Sequence, residues 1–599
     1  MIPTTNIVEK VLSVLKEIAH ILIPFLSVAA TLLLIYDLGF TQSETFSTEI
    51  KTYYSKFVFV VYFFILLRID YKKLRAKRFE YLRSQYYLFL TFSCIWIYEF
   101  VLPVLFPGYT FLNSTFQFYV NGFLILFLFF TEVSIGSLNI SRLNKNPAAI
   151  FIFSFAIVIL IGAGLLMLPK ATYTSMTITD ALFTSTSAVC VTGLIVVDTA
   201  HRFTPMGQNI LAILIQIGGL GILTFTSFFG MYLRTSISYQ DQLLLGSMNN
   251  EAQLSNIFKT VVRIIVLTLS LEFIAAVLIF FTLEPDLFSS HTEQVRFAIF
   301  HSISAFCNAG FSLLTDGMYD VNYRFNYSLQ IILMTLIVLG GLGFNIIFNY
   351  LRYVKYYLIQ KFRSVFYKKK FLHQPRLINI NSKIVFITTF SLIVFGFIMN
   401  LILEWENTLA DRSLSGKLIT ALFASITPRT AGFNTVDMTI LMPSTILIYY
   451  LLMLIGGSPG STAGGIKTTT FAVAVINTLS IARGKDRVEL YKREISVGSI
   501  RRALSVLALA LLFIGISVFL ITLMHPEFEL MSVIFECISA FSTVGLTLGI
   551  TPFLSDAAKL VLVLTMFVGR IGTLTLIVAL FRKVKTLNYA YPKESILIS

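Results

Sequence analysis

At 599 residues, 56% of them hydrophobic and with a mean hydropathy of +0.81, the chain carries more apolar side chain than a water-soluble fold can cover. Many runs exceed the length needed to cross roughly 30 Å of hydrocarbon, so the sequence reads as an integral membrane protein. The net charge of +15 does not mark a nucleic-acid binder, because Lys and Arg concentrate in short links between apolar runs, as the positive-inside bias requires. Cys94, Cys190, Cys307 and Cys537 lie in apolar surroundings with neither zinc spacing nor a disulfide framework, and the six histidines form no ligand cluster. With no Walker motif or metal cluster, an enzyme is disfavoured.

In chain order, residues 1–146 read as an extension of four transmembrane helices, near 11–37, 53–69, 85–106 and 116–138. The first is too long for a signal-peptide core and lacks an Ala-x-Ala exit, so it is expected to stay. The link holding Arg68, Lys72, Lys73, Arg75, Lys77, Arg78 and Arg83 is placed in the cytoplasm. Glu132 falls in the fourth span and has no assigned role.

From Pro147 onward the chain repeats. Cys190-Val191-Thr192-Gly193-Leu194, Cys307-Asn308-Ala309-Gly310-Phe311, Arg429-Thr430-Ala431-Gly432-Phe433 and Ser542-Thr543-Val544-Gly545-Leu546 recur with their glycines 117, 122 and 113 residues apart. Each follows a short Ser/Thr/Ala-rich segment set between two long apolar spans. This is a fourfold internal repeat, with boundaries at 147–240, 241–376, 377–490 and 491–599. Expected spans and short segments are 148–168, 180–190 and 206–233; 257–283, 293–307 and 327–350; 383–403, 415–427 and an interrupted stretch; and 501–524, 528–541 and 557–581. The basic links after repeats two, three and four fall on one side, which puts both termini in the cytoplasm and gives twelve full spans.

The short segments carry the functional argument. Residues 180–190 make roughly 16 Å of helix, about half the hydrocarbon thickness, so the segment must enter, stop and return. Non-helical backbone at that depth is tolerated only where it borders water or is buried in protein. Four half-helices directing their carbonyl ends at one point present about half a negative charge each, which favours a cation. Glycine lets the following backbone bend with little steric penalty, and the ligands are then backbone oxygens that replace the ion's water.

Repeat three contains Gly456-Gly457-Ser458-Pro459-Gly460-Ser461-Thr462-Ala463-Gly464-Gly465 between apolar arms 441–455 and 466–482. No helix holds five glycines and a proline in ten residues, so an irregular loop is expected inside the bilayer. It reads either as a structural break or as a gate. Arg570 falls midway along the last span, where an arginine costs about 2.5–3.5 kcal/mol on insertion scales unless it meets water or a partner. Contact with the loop and pairing with a buried acid such as Glu272 both stand. Asp198, Asp316 and Asp437 follow three of the turns and read equally as cation-concentrating charges or loop residues.

These motifs resemble the Trk/Ktr/HKT superfamily of potassium transporters, most closely its bacterial KtrB and TrkH pore-forming subunits. The resemblance rests on Thr184-Ser-Thr-Ser-Ala-Val-Cys-Val-Thr-Gly-Leu194, Gln216-Ile-Gly-Gly-Leu-Gly221, Thr427-Pro-Arg-Thr-Ala-Gly-Phe-Asn434, Gly456 to Lys467 and Gly569-Arg-Ile-Gly572, and covers roughly residues 147–585. It implies an all-α integral membrane fold with four membrane-pore-membrane repeats in one chain around a central pore, here preceded by four extra transmembrane helices. It implies a potassium filter made of Val191, Thr192, Gly193; Asn308, Ala309, Gly310; Thr430, Ala431, Gly432; and Thr543, Val544, Gly545. It implies a gate made of Gly456, Gly457, Ser458, Gly460, Ser461, Thr462, Gly464, Gly465 and Lys467 with Arg570. Some relatives have serine at the first filter glycine and favour sodium, so Gly193 implies potassium. The resemblance further implies channel-like uptake at the bacterial plasma (inner) membrane, potassium as the bound ion with no organic cofactor, a homodimer, and regulation by a cytosolic RCK ring of the KtrA or TrkA type that binds nucleotides. The inner basic links are expected to meet that ring or anionic lipid. The alternatives are a mixed potassium/sodium transporter of the same family and a secondary transporter with a midplane substrate site.

Overall fold

The computed structural model describes residues 4–40, 147–221, 257–367, 378–485 and 487–580, with parts of 53–132. Apart from a two-residue hairpin pairing Glu489–Leu490 with Arg493–Glu494, the regular structure among these residues is helical.

The chain enters on α1 (Thr4–Gly39). Its inner face, with Ala19 and Ile23, packs on Val58, Val61, Ile65, Leu124 and Leu128 of the extension. The expected spans 53–69 and 116–138 fall partly, and 85–106 and the basic link almost wholly, outside the described residues. The extension is tied to the repeats where Lys170 N donates to Gly39 O at 2.9 Å.

Each repeat supplies a long first helix, a short one, and a second apolar stretch that is divided by a break in repeats two, three and four. Repeat one has α2 (Pro147–Leu166), α3 (Ile178–Val189) and α4 (Pro205–Leu220). Repeat two has α5 (Ile257–Thr282), α6 (His291–Phe306), α7 (Tyr327–Leu342) and α8 (Phe344–Tyr367). Repeat three has α9 (Ile380–Leu403), α10 (Leu414–Ile426), α11 (Pro443–Leu454) and α12 (Thr468–Ala482). Repeat four has α13 (Val497–Met524), α14 (Leu530–Ser542), α15 (Asp556–Ile571) and α16 (Thr573–Leu580).

The sequence leaves 327–350 and 557–581 as straight spans, and the structure corrects both. The first turns by 102° at Gly343 and the second by 91° at Gly572. These glycines take φ of +83° and +91° with ψ of +143° and +130°, an extended positive-φ backbone open at little cost only to glycine. Gly221, φ +79°, ends α4 in the same way. The break in repeat three is therefore one of a series. Gly218-Gly219-Leu220-Gly221, Gly340-Gly341-Leu342-Gly343 and Gly569-Arg570-Ile571-Gly572 occupy equivalent places, and the long loop after Gly456-Gly457 elaborates the same position.

The short helices lie at the centre, with their C-terminal halves buried. They are cross-braced to the first span of their own repeat by one hydroxyl. Ser185 Oγ donates to Ile159 O at 2.7 Å, Ser302 Oγ to Glu272 O at 2.6 Å and Ser425 Oγ to Ile393 O at 2.6 Å. Cys537 stands at the fourth equivalent position. The first glycine of each break permits close packing on the short helix's last carbonyls. A methyl group at Gly218, Gly340 or Gly569 would lie 2.1, 2.0 or 1.7 Å from the carbonyl oxygens of Val189, Phe306 and Phe541.

Candidate functional site: four filter strands and an intramembrane loop

The four short helices have 12, 16, 13 and 13 residues, roughly 18–24 Å each. Three begin on a side-chain cap: Thr177, Ser290 and Ser413 accept from Asp180 N, Glu293 N and Gly416 N at 3.1, 3.3 and 3.2 Å. All four end in the same backbone. Val191, Asn308, Thr430 and Thr543 take φ of +57°, +59°, +73° and +52°, and the glycines two residues later take +90°, +71°, +78° and +92°. For β-branched Val191, Thr430 and Thr543 this is a costly conformation, about 1–3 kcal/mol each, held only where the surroundings over-determine it.

The surroundings do so with buried hydrogen bonds. Thr192 N, Ala309 N, Ala431 N and Val544 N donate to Ser187 O, Ser304 O, Thr427 O and Ser539 O at 2.7, 2.7, 3.0 and 2.8 Å. The same four residues use their hydroxyls on the returning strand. Ser187 Oγ accepts from Gly193 N at 3.0 Å and donates to Leu194 O at 2.7 Å. Ser304 Oγ donates to Phe311 O at 2.7 Å, Thr427 Oγ1 to Phe433 O at 2.5 Å, and Ser539 Oγ accepts from Gly545 N at 3.1 Å. These four side chains were not singled out in the sequence, where they register only as Ser/Thr content.

The strands meet. A methyl group at Gly193 would sit 2.3 Å from Ala309 O, at Gly310 2.8 Å from Ala431 O, at Gly432 2.3 Å from Val544 O, and at Gly545 2.2 Å from Thr192 O. Each glycine thus faces the carbonyl before the next repeat's glycine, and the sequence of neighbours closes on itself after four steps. All twelve residues expected to form the filter belong to these strands.

The loop after α11 lies against the inner ends of the strands. A methyl group at Gly464 would lie 2.2 Å from Thr543 Oγ1, and at Gly465 and Gly456 it would press on Ser542 and Thr430 at 3.1 and 3.3 Å. The loop's neck is closed by Gly456 N donating to Ile466 O at 2.9 Å and Thr468 N to Gly457 O at 3.0 Å. Its body is held to the break of repeat two: Ser458 N donates to Gly341 O at 3.0 Å, Thr462 N to Gly340 O at 3.3 Å, and Phe344 N to Gly460 O at 3.3 Å. Lys467 Nζ turns back to Ala463 O at 2.5 Å.

Arg570 reaches the same loop. Its Nη1 donates to Thr462 O and its Nη2 to Gly218 O at 2.5 Å, so one guanidinium joins the loop to repeat one. Pairing with Glu272, the other reading left by the sequence, does not occur. Glu272 accepts instead from Gln216 Nε2 at 3.0 Å, beside the Cys307 thiol at 3.8 Å.

Sequence reasoning missed a second buried arginine. Arg429 precedes the third strand, and its Nη2 donates to Gly456 O at 3.2 Å and its Nη1 to Thr389 O at 3.4 Å, which links the strand to the loop's first residue. Its only advance signal was its register, three residues before the glycine, where the other repeats have Cys190, Cys307 and Ser542. Also missed were Arg412 and the pair between Asp180 and Lys559. Arg412 bonds Thr420 Oγ1 at 2.5 Å and Thr435 O at 2.6 Å in the loop before α10. Burial pulls its guanidinium below the ordinary arginine range, with Asp411 opposing. Lys559 Nζ meets Asp180 Oδ1 at 2.7 Å and ties repeat four to repeat one. Asp198 and Asp437 serve as turn caps, accepting from Ala200 N at 2.8 Å and Thr439 N at 2.9 Å, and Asp316 offers its backbone oxygen to Asn434 at 3.0 Å.

A family model described as a cation transport protein, TrkH, matches residues 120–586. The chain belongs to the TrkH family of cation transport proteins. Among its relatives are the Ktr system potassium uptake protein B of Bacillus subtilis (35% identical; 75% of this chain, 95% of the relative) and that of Vibrio alginolyticus (37%; 75% and 94%). The potassium/sodium uptake protein NtpJ of Enterococcus hirae is 35% identical over 76% of this chain and 98% of the relative. The crystal structure of the potassium transporter TrkH from Vibrio parahaemolyticus shares the fold, with a TM-score of 0.57 at 17% identity, covering 84% of this chain and 99% of that one. The chain is an integral membrane transporter of the TrkH family and not an enzyme.

Proposed function

We propose that the protein conducts potassium ions passively into the cell along a central path through the four strands. The observation that carries this is the closed ring of glycine-to-carbonyl approaches among Gly193, Gly310, Gly432 and Gly545. Left-handed residues at the first and third positions of each strand let several main-chain oxygens face one axis. Such a cage replaces the hydration shell of a bare cation and suits nothing larger. Four inward carbonyl ends of short helices add negative potential at the same point. The relatives named potassium uptake proteins support potassium as the ion, and Gly193 fits that choice.

The loop at 456–467 is the gate in this reading, and Arg570 is its latch. The guanidinium holds the loop through Thr462 and places a positive charge below the strands, which opposes cation passage until the loop moves. The resemblance to KtrB and TrkH supports a homodimer docked on a cytosolic nucleotide-binding RCK ring, in the bacterial plasma membrane with both termini inside. Mixed potassium/sodium conduction is the second reading, favoured by the relative named a potassium/sodium uptake protein. The test is ion flux into liposomes carrying the purified protein. Wild type is expected to prefer potassium over sodium, and Gly193→Ser to lose most of that preference. Equal selectivity in both would refute the filter assignment.

A further inference from the structure

The hinge at Gly343 sends α8 away from α7 at 102°, an angle that fits a helix lying along a membrane surface better than one continuing the span of α7. Its 24 residues, roughly 36 Å, contain Arg352, Lys355, Lys361 and Arg363 and no acidic residue. One face is buried against the protein at Ile346, Asn349 and Gln360. The opposite face is an apolar stripe, Leu351, Val354, Leu358, Phe362 and Val365, each between 47% and 65% exposed. At 100° per residue these positions line up. Lys355 falls along one edge of the stripe and Lys361 along the other, with Arg352 further round on the Lys355 side. An apolar strip edged by long basic side chains is the pattern of a helix seated at the boundary of headgroups and acyl chains.

We propose that α8 binds anionic phospholipid of the inner leaflet and passes that occupancy to the gate. Leu351, Val354, Leu358, Phe362 and Val365 enter the acyl boundary while Arg352, Lys355 and Lys361 hold the lipid phosphates. The connection to the gate is short. Phe344 N, at the start of α8, donates to Gly460 O at 3.3 Å, and Ser458 and Thr462 bond the carbonyls of Gly341 and Gly340 just before the hinge. Drawing α8 into the leaflet pulls on these bonds and favours the loop's release. The regulatory half of this proposal rests on the potassium-transport reading; the lipid surface does not.

The test uses the full chain in phosphatidylcholine vesicles with and without phosphatidylglycerol. A bimane probe on Val354→Cys is expected to be quenched by brominated acyl chains. Phosphatidylglycerol is expected to raise potassium flux several-fold. Each basic group contributes roughly fivefold to attraction by an anionic surface, so K355E/K361E is expected to lose that response while keeping the flux seen in phosphatidylcholine. An unquenched probe, or a disulfide formed between two copies of the unlabelled Val354→Cys chain under added oxidant, would overturn the lipid assignment in favour of a protein partner. A response to phosphatidylglycerol that survives K355E/K361E would overturn it too. A quenched probe with no flux in any lipid would leave the lipid surface standing and sink the transport reading instead.

Discussion

Ser187 shows how much one side chain holds. It satisfies Gly193 N and Leu194 O together, both buried, so Ser187→Ala leaves two backbone groups unpaired at about 1–3 kcal/mol each. The expected outcome is a lower unfolding temperature together with weaker potassium selectivity; a variant with normal selectivity would detach the hydroxyl from the strand's geometry. Arg570 acts on the other side of the strands. Charged hydrogen bonds contribute about 1.5–3 kcal/mol each, so Arg570→Ala should shift the loop toward release and raise flux at least about tenfold. Unchanged flux would count against the latch. Arg570 was legible in the sequence because charge in an apolar span is conspicuous. Arg429 and the hydroxyls were not, because a residue at the end of a short segment reveals nothing of the carbonyl it will meet.

At the scale of the element, the short segments were legible by length alone, since a half-length apolar segment between two full spans has few other uses. The breaks at Gly343 and Gly572 were not, because Gly-Gly-Leu-Gly inside an apolar run reads equally as a helix-packing surface. What decides between the two is whether the last glycine takes positive φ, and at Gly343 the surroundings include Ser458 and Gly460 of the loop. Alanine at Gly343 would meet Ser458 Oγ at 2.6 Å in a positive-φ extended conformation that costs an L residue about 1–3 kcal/mol. Gly343→Ala is therefore expected to loosen the loop and raise basal flux, as measured in the same vesicles. The tie between α3 and α15 was equally hidden, because Asp180 and Lys559 stand 379 residues apart. Their side chains are 15% and 11% exposed, so breaking the pair should cost up to about 3 kcal/mol. A double-mutant cycle with Asp180→Asn and Lys559→Met checks this in detergent; additive effects would mean the pair does not couple the repeats.

Across the whole molecule, four repeats of one hairpin plan close a ring that no single repeat builds. Strain at Val191, Asn308, Thr430 and Thr543 is held in each repeat by one Ser or Thr that bonds the strand through its carbonyl and its hydroxyl, and the largest departures from fourfold likeness gather below the strands. There the third repeat contributes the long loop and the fourth contributes Arg570 where the others have glycine. The upper part is thus nearly symmetric and the lower part is not, as expected of a common ion cage above a single latch. The most direct measurement is anomalous diffraction from crystals soaked in rubidium or thallium, which substitute for potassium. The account predicts ion density on the axis enclosed by the carbonyls of Thr192, Ala309, Ala431 and Val544. Density found elsewhere in the membrane region, with none inside that ring, would contradict it.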